Sequence, residues 1–448
     1  QLKGLAAELG SAFTEDFANI NGGYPILKWQ TGGSLDPDAP ETDPNGWDGN
    51  TMREPVLKDG SYQISSTEEL AWFAAQLQTY PNLNGTLTAD IDLNNQPWTP
   101  MSGASKSAAY TGTFDGKGCT IRNLYISSRK PAAALFAGNA GSILNLAVEG
   151  QINGADYTAA LAAYNYGSIA NCHSHAVVTG GNYAGGITAQ NLGAISDSSG
   201  RGSVRAAKYA GGVAASNAAG GTITRCFHSG AAESSSDFSG GVCASNEGNV
   251  ESCYNTGLVI GRTASLRSYV GGVVGWNNKT ASNLYNTGSV VSMGSHTGGV
   301  IGITTTGTTA ENLYGIGSVM GMYYDDDNSY EQYYVGAVVG RKTDNISNAY
   351  YLNTLAVTGG GAEKSEAEMK AQGFPVQLGN AFAKDASGLN AGYPILAWQT
   401  AENTPSASPM LTGDVAISGE LKSGGTLTIE FFDSGDLQDL AARLAPES

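Results

Sequence analysis

One phrase recurs through the middle of the chain: two glycines, a β-branched residue, small residues and an asparagine. The spacing of its asparagine is a constant 26 residues at first and slightly longer afterwards, at Asn139, Asn165, Asn191, Asn217, Asn246 and Asn277. Fixed periods of this length are typical of solenoids, in which each repeat packs only against its neighbours. The repeat therefore limits the chain to a stack of similar units.

Each unit is predicted to consist of short β-strands. Strand-like pieces such as Gly-Val-x-Ala and Gly-Ser-Val alternate with Gly or Asn, and β-branched residues are common. Three short strands in about 26 residues make one coil of a parallel β-helix, whose equivalent strands lie ~4.8 Å apart. The sequence thus predicts an all-β protein, a parallel β-helix solenoid of about eleven coils with short capping helices at each end.

Three sets of residues recur at equivalent places and are expected to stack from coil to coil. The asparagines would form a structural ladder at a corner and would tolerate left-handed backbone there, although Thr304 and Lys342 interrupt the signature in the late coils. The glycine pairs, such as Gly185 and Gly186, would permit a tight corner. Aromatic residues precede the pairs and should form a column: Tyr157, Tyr183, Tyr209, Phe238 and Tyr269.

The five cysteines show no zinc-binding spacing. Cys172, Cys226 and Cys253 fall in one column of the repeat, where other coils carry Leu146 and Leu284. The leucines indicate that this column faces the core. Cys226 and Cys253 would lie one coil apart, so the sequence leaves a disulfide between them open.

Two amphipathic segments are predicted to cap the stack, because open sheet ends invite aggregation. The first helix should span residues 66–78, with Ser66 as N-cap and Glu69 as the answering residue of a capping box. The second, shorter helix should span Ser365 to Gln372.

A longer duplication divides the chain. Leu9–Thr31 matches Leu378–Thr400, which directly follows the repeats, so the first copy resembles the tail of an earlier module. The sequence predicts five segments: 1–31 tail of a preceding module, 32–46 acidic Pro-rich linker, 47–364 parallel β-helix, 365–400 C-terminal cap, and 401–448 linker and start of an immunoglobulin-like β module.

Composition excludes some partners. The net charge of −17 argues against nucleic acid, because phosphate binding needs a basic face. No apolar run approaches the ~20 residues that span a membrane. The chain opens at Gln1 without a signal peptide, and we interpret it as a mature fragment whose export signal or anchor lies outside it.

An acidic, tyrosine-rich insertion interrupts the coils between Met322 and Tyr334. Hard oxygen ligands there would suit calcium, at Asp325, Asp326, Asp327, Asn328 and Glu331. Aromatic rings there would suit sugars, at Tyr323, Tyr324, Tyr330, Tyr333 and Tyr334. The alternative is a solvated acidic loop. No other cofactor is predicted.

The sequence carries no catalytic motif of the HExxH, GxSxG or P-loop kind, and no catalytic residue is predicted. His173, His175 and His228 fall near one wall, where either a weak zinc site or an ordinary solvated surface would suit them. A polysaccharide-cleaving groove would be lined by carboxylates. In this chain carboxylates do not recur at equivalent positions of neighbouring coils.

Several segments in a fixed order resemble bacterial cell-surface proteins with GLUG-motif repeats: WDG at 47–49, 59–74, LTADIDL at 87–93, 114–126, the GGV-x-x-x-N coils and GYPILAWQ near 398. The resemblance covers about 47–400. It implies a right-handed parallel β-helix, export from a bacterium and a place on the cell surface. Related repeats also lie beside the catalytic domains of some immunoglobulin A peptidases as a non-catalytic region.

Together these observations predict a non-catalytic module of a secreted bacterial surface protein, an elongated stalk or adhesin. Its partners would be host or microbial glycans or proteins. Two alternatives stay open: a carbohydrate-active enzyme on a β-helix, either a polysaccharide lyase or a glycoside hydrolase, and an accessory region of a larger surface peptidase.

Overall fold

The computed structural model describes residues 40–263, 267–321, 334–341 and 346–399, and the backbone of 13–14 and 26–27. The chain divides into two compact units, Gln1–Leu396 and Ala397–Ser448. All repeats belong to the first unit. The boundaries predicted between tail, linker, solenoid and cap stay predictions.

The first unit is a parallel β-solenoid of about 10 turns, and 48% of the described residues lie in strands and 6% in helices. The predicted fold class is therefore confirmed, with about one turn fewer than expected. Each full turn contributes strands to three faces, and strands of one face pair in parallel with those of the next turn.

Two faces hold eight strands each. Face 1 begins each turn, with strands Ala132–Ala133, Tyr157–Ala159, Tyr183–Gly185, Tyr209–Gly211, Phe238–Gly240, Tyr269–Gly271, His296–Gly298 and Tyr334–Gly336. Face 2 follows after a sharp corner, with strands Phe136–Asn139, Ala162–Asn165, Thr188–Asn191, Ala214–Asn217, Cys243–Asn246, Val274–Asn277, Ile301–Thr304 and Val339–Arg341.

Face 3 is the longest and contains a bend in most turns. Its first strand of each turn is Ser142–Leu144, Ser168–Ala170, Ala194–Ser196, Thr222–Thr224, Asn249–Asn255, Thr280–Asn286, Thr309–Gly315 or Ile346–Leu352. Its later strands are Ala147–Gly154, His173–Ser174, Val177–Gly180, Ser199–Gly200, Val204–Ala206, Phe227–His228, Ala231–Ser234, Leu258–Gly261, Val290–Ser292, Val319–Gly321 and Ala362–Lys364.

The N-terminal end of face 3 is less regular. It consists of strands Val56–Lys58, Ser61–Ile64, Gly85–Leu87, Ile91–Asp92, Thr113–Asp115 and Thr120–Ser128. The first two form an antiparallel hairpin, whose turn at Asp59 and Gly60 has positive φ angles of 52° and 77°. A hairpin at this end replaces the parallel pairing that another turn would supply.

Stacked columns hold the turns in register. Successive turns pair the ladder asparagines with each other, as in Asn139 with Asn165 and Asn191 with Asn217. Ile143, Ile169 and Ile195 likewise pair on face 3 and are almost completely buried. A continuous apolar core of Val, Ile, Leu and Ala results, and burial of that surface is the main favourable term in stability.

The expectation of left-handed backbone at the ladder asparagines is wrong. Positive φ angles lie instead six to eight residues further on, at the face 3 bend: Asn145, Asn171, Asp197, Arg225, Ser252, Asn283, Asn312 and Asn348. The ladder asparagines end extended strands, and their side chains turn inward. Asn therefore serves two separate columns for two different reasons.

The glycine pairs are required by close backbone approach, both between successive turns and across the corner of one turn. A Cβ atom built on Gly186 would lie 2.1 Å from the carbonyl oxygen of Gly212, and one on Gly185 would lie 1.8 Å from that of Thr188. Neither glycine has a positive φ angle. In these turns the corner between face 1 and face 2 leaves no room for a Cβ atom, whereas Ala159 and Ala160 occupy the equivalent positions one turn earlier.

Helices cover the ends of the core. Helix α1 spans Thr67–Gln76, with Ser66 as N-cap, and buries Leu70 and Phe73. The Glu69 carboxylate accepts from the Ser65 backbone N–H at 2.7 Å, one residue before the position that a capping box requires.

Helices α2 (Glu366–Lys370) and α3 (Phe374–Leu378) lie at the other end of the chain's repeats. Helix α2 has the complete capping box, between Ser365 and Glu368. The antiparallel pair Phe382–Ala383 with Ile395–Leu396 follows, and the earlier duplicate forms the same pair at Phe13–Thr14 and Ile26–Leu27. The two duplicated segments therefore share their local strand pairing.

The cysteine column faces the core as predicted. Cys172, Cys226 and Cys253 are fully buried in the apolar cluster, and all five cysteines are free thiols. The backbone N–H of Cys226 donates to Sγ of Cys253 at 3.4 Å. Burial raises the pKa of the Cys172 thiol to about 12, so these thiols behave as apolar core groups.

Candidate functional site

Most of the predicted ligand-binding insertion falls on residues 322–333, outside the described residues. The proposed calcium ligands Asp325, Asp326, Asp327, Asn328 and Glu331 and the tyrosines Tyr323, Tyr324, Tyr330 and Tyr333 therefore stay predictions. Tyr334 is described: it begins a strand of face 1, and its ring stacks on His296 at 5.1 Å.

The predicted histidine group is not assembled into one surface. His228 is fully buried, whereas His175 is exposed and His173 is half-buried. Among the residues that the structure describes, no group of three or more His, Cys, Asp or Glu could hold a metal ion. The zinc alternative is therefore wrong for these histidines, and burial lowers the pKa of both His173 and His228 to about 4.

The predicted aromatic column forms on the outer side of face 1. Rings one turn apart lie 4.7 Å apart between Tyr157 and Tyr183, and 4.4 Å apart between Tyr183 and Tyr209, and both pairs are nearly parallel. Phe238 and Tyr269 continue the column. Their ring faces are largely covered by their neighbours, so the column presents ring edges and phenol hydroxyls at the surface.

Face 2 bends toward this column, so that the outer surface between the two faces is concave. Tyr164 on face 2 lies 4.6 Å from Tyr157 on face 1, and Trp276 on face 2 lies 6.1 Å from Phe238. A Cβ atom on Gly275 would lie 2.7 Å from the Ser239 carbonyl oxygen across the corner. We call this surface the outer groove.

Small alanines form the floor of the outer groove. Ala159, Ala163 and Ala189 are fully buried beneath the tyrosine rings and form a cluster separate from the main core. Larger side chains there would push the rings away from the corner. The repeat of alanine before the polar position of face 2 therefore makes the groove possible.

In one part of the groove the side chains on face 2 are not aromatic. Where Tyr164 and Trp276 carry large rings, the three turns between them carry Gln190, Ser216 and Ser245 in the same register. We call these three residues the notch. The aromatic column runs opposite the notch, and Tyr164 and Trp276 bound it at either end.

The groove is electrically negative. Burial, the neighbouring Tyr209 and, to a smaller extent, the carboxylates of Asp156 and Glu247 together raise the pKa of Tyr183 to about 12. Burial and Asp237 likewise raise the pKa of Tyr209. The phenols stay neutral at physiological pH and can act as both donors and acceptors of hydrogen bonds.

Sequence reasoning found the aromatic column and missed the groove. The face 2 residues stand seven positions after the aromatic ones, as in Tyr157 with Tyr164 and Tyr269 with Trp276. This seven-residue spacing is the sequence signal of the groove. It predicts contact between the two sets of rings only once the corner at the glycine pair is known to bring the two strands together.

Comparisons with known proteins give little beyond this geometry. No family model matches the chain, and no curated protein matches it. The crystal structure of a proposed immunoglobulin A1 protease from Bacteroides ovatus is similar with a TM-score of 0.47 and 20% identity, over 78% of this chain and 96% of that one. A likeness this weak identifies no activity here, and the resemblance to GLUG-repeat proteins stays a prediction.

Proposed function

We propose that the chain is a non-catalytic module of a secreted bacterial surface protein, a stalk or adhesin that binds glycan or protein outside the cell. The observation that supports binding is the outer groove, in which aromatic rings and uncharged polar groups meet on a concave surface. Concave surfaces with aromatic walls and a few polar groups are the usual form of ligand sites.

The solenoid supports such a role because a stack of turns holds its side chains at fixed spacing. The ladder of buried amide hydrogen bonds, the stacked rings and the parallel pairing all fix neighbouring turns in register. A groove built on strands keeps its geometry before a ligand arrives, which lowers the entropic cost of binding.

Several charged groups on the solenoid are engaged with each other. Arg225 forms a bidentate pair with Asp197, and Glu233 contacts both Arg205 and Arg262. A cleavage site would instead need carboxylates directed at a substrate. These pairs favour the binding role over the lyase or hydrolase alternative.

Among the described residues, no helix is long and apolar enough to cross a membrane; the longest is helix α1, with 10 residues. Export and a place on the cell surface are part of the proposal. Labelling intact bacteria with an antibody against this chain, with and without external protease, would test them: protease-sensitive surface staining is expected, and staining only after cell lysis would contradict export.

Binding itself is tested with the purified chain on a glycan array and on host epithelial cells. We expect saturable binding to at least one class of glycan or to a cell-surface protein. Absence of binding on both would contradict the adhesin role. Release of new reducing or unsaturated ends from a polysaccharide panel would instead favour the enzyme alternative.

A further inference from the structure

The notch combines features of a ligand site that the stack itself does not need. Gln190, Ser216 and Ser245 interrupt a face 2 column that carries Tyr164 before them and Trp276 after them. Ring packing across the corner would stabilise every turn if large side chains filled the column throughout. The three small or polar residues leave this packing unused in consecutive turns.

The notch presents polar side chains, of which Gln190 and Ser216 are half-exposed. The Ser245 side chain is only 4% exposed. Its register with Trp276, whose ring contacts Phe238 across the corner, directs it into the groove. The hydroxyl groups of Ser216 and Ser245 and the amide of Gln190 can each donate and accept hydrogen bonds, so they are suited to bond a ligand or a bound water.

The dimensions of the notch limit its occupant. Four steps of ~4.8 Å separate the levels of Tyr164 and Trp276, which gives about 19 Å between them before the thickness of the two rings is subtracted. Tyr183 and Tyr209 supply phenol hydroxyls along the opposite wall. A short, flat molecule with many hydroxyl groups fits a space of this length and chemistry.

Charge limits the occupant further. Asp156 lies close enough to raise the pKa of Tyr183 and Tyr157, and Glu247 acts on Tyr183 and Tyr209 from the other side. The whole chain carries a net charge of −17. An acidic ligand would meet repulsion from nearby carboxylates and from the chain as a whole.

We propose that the notch binds a short oligosaccharide without acidic groups, built of neutral or amino sugars. The terminal sugar ring packs on Trp276, while its hydroxyls bond Gln190 and Ser216 on one wall and the phenols of Tyr183 and Tyr209 on the other. Ser245 bonds the sugar beside Trp276. This inference rests on the proposed binding function and adds to it the site and the class of glycan.

The test measures binding of the full chain by isothermal titration calorimetry to four probes: a chito-oligosaccharide, a malto-oligosaccharide, a chitosan oligosaccharide and an oligogalacturonate. The variant Ser216→Trp fills the notch. Its matched control is Thr224→Trp, which places the same ring on face 3 of the same turn, at a position that is also half-exposed.

We expect at least one neutral or amino-sugar probe to bind, no measurable heat from oligogalacturonate, loss of binding in Ser216→Trp and unchanged binding in Thr224→Trp. If Ser216→Trp does not fold, as judged by circular dichroism, Trp276→Ala takes its place and should weaken binding by about tenfold.

Two outcomes would overturn the inference and leave the proposed function intact: tightest binding to oligogalacturonate, or binding that survives in both Ser216→Trp and Trp276→Ala. Failure of all four probes would overturn it as well. In that case the glycan array and the cell assay, which do not depend on the notch, still decide whether the chain is an adhesin.

Discussion

The side-chain amide of Asn191 donates a 2.8 Å hydrogen bond to Oδ1 of Asn217, one turn further along, and both side chains are completely buried. The same bond links Asn139 to Asn165 and Asn165 to Asn191. Asn191 Nδ2 also lies 3.2 Å from the carbonyl oxygens of Gly193 and Thr222. One amide thus satisfies polar groups in two turns of the core.

Replacement of Asn191 by Ala should lower the free energy of unfolding by ~2–4 kcal/mol, because buried amide and carbonyl groups of the neighbouring turns lose their partner. Equilibrium denaturant unfolding measures the effect. The adjacent Gln190→Ala is the control: Gln190 is half-exposed on the outer side, and a change within ~0.5 kcal/mol is expected. Equal effects at the two positions would contradict a structural ladder.

A second column of asparagines depends on backbone conformation. Asn171 has φ of 51°, and its exposed side chain donates to Oδ1 of Asn145 at 2.9 Å. A β-branched residue is strained in this conformation, so Asn171→Val should cost ~2 kcal/mol, whereas Asn171→Gly should cost less than ~1 kcal/mol. Thermal melting of the two variants is the comparison. A larger loss for glycine than for valine would show that the side-chain bond dominates.

The sequence period predicted which residues stack, because one coil of a β-helix returns the chain to the same place. That is why the columns of Asn139, Tyr157 and Cys172 could be read from spacing alone. The period also marks the glycine pairs, although their reason, the approach of Gly186 to the next turn's backbone, is visible only in three dimensions.

Spacing does not say which side of the wall a column occupies. His228 and His173 lie at neighbouring positions of the repeat, yet one is fully buried and the other half-exposed, because successive side chains of a strand point to opposite faces of the sheet. A buried column, Phe227, Tyr254, Tyr285 and Tyr314, also escaped notice, since its rings begin only halfway along the chain. The corner that forms the outer groove could not be predicted either, because spacing does not give the angle between two faces.

The end of that buried column shows what a cap must satisfy. Phe382 packs on Tyr314 at 5.9 Å, the Tyr314 hydroxyl donates to the Pro394 carbonyl oxygen, and Asn390 donates to the Tyr314 hydroxyl at 2.7 Å. Every one of these cap residues has its equivalent in the first duplicate. Sequence comparison recognised the duplicate, but the contacts explain why those residue types recur.

Acid should destabilise the solenoid through His228. Burial lowers the pKa of this histidine to about 4, and its Nδ1 lies 3.0 Å from Oδ1 of Asn255. The unfolded chain, with an ordinary histidine pKa near 6.5, binds the proton first as pH falls. The stabilisation is therefore complete above pH ~6.5 and is lost progressively toward pH ~4, by up to ~3 kcal/mol.

His228→Asn should flatten this pH dependence, since asparagine would extend the buried pair in which Asn255 donates to Asn286 at 2.9 Å. Unfolding midpoints at pH 7.5 and pH 5 measure the effect. The exposed His175→Asn serves as control and should change the slope less. An unchanged slope in His228→Asn would assign the acid sensitivity to other groups, of which half-buried His173 is the first to examine.

The tight corner between face 1 and face 2 gives the most severe substitution. In Gly186→Ala the new methyl group would lie 2.1 Å from the carbonyl oxygen of Gly212, a backbone atom of the next turn. We expect a loss of at least ~3 kcal/mol, with reduced soluble expression. Gly373→Ala is the control, because a Cβ atom there meets nothing within 4 Å. Melting temperatures of both variants within a few degrees of the parent would contradict this prediction. The corner would then be more adaptable than its geometry implies, and the fixed shape of the outer groove would lose its main support.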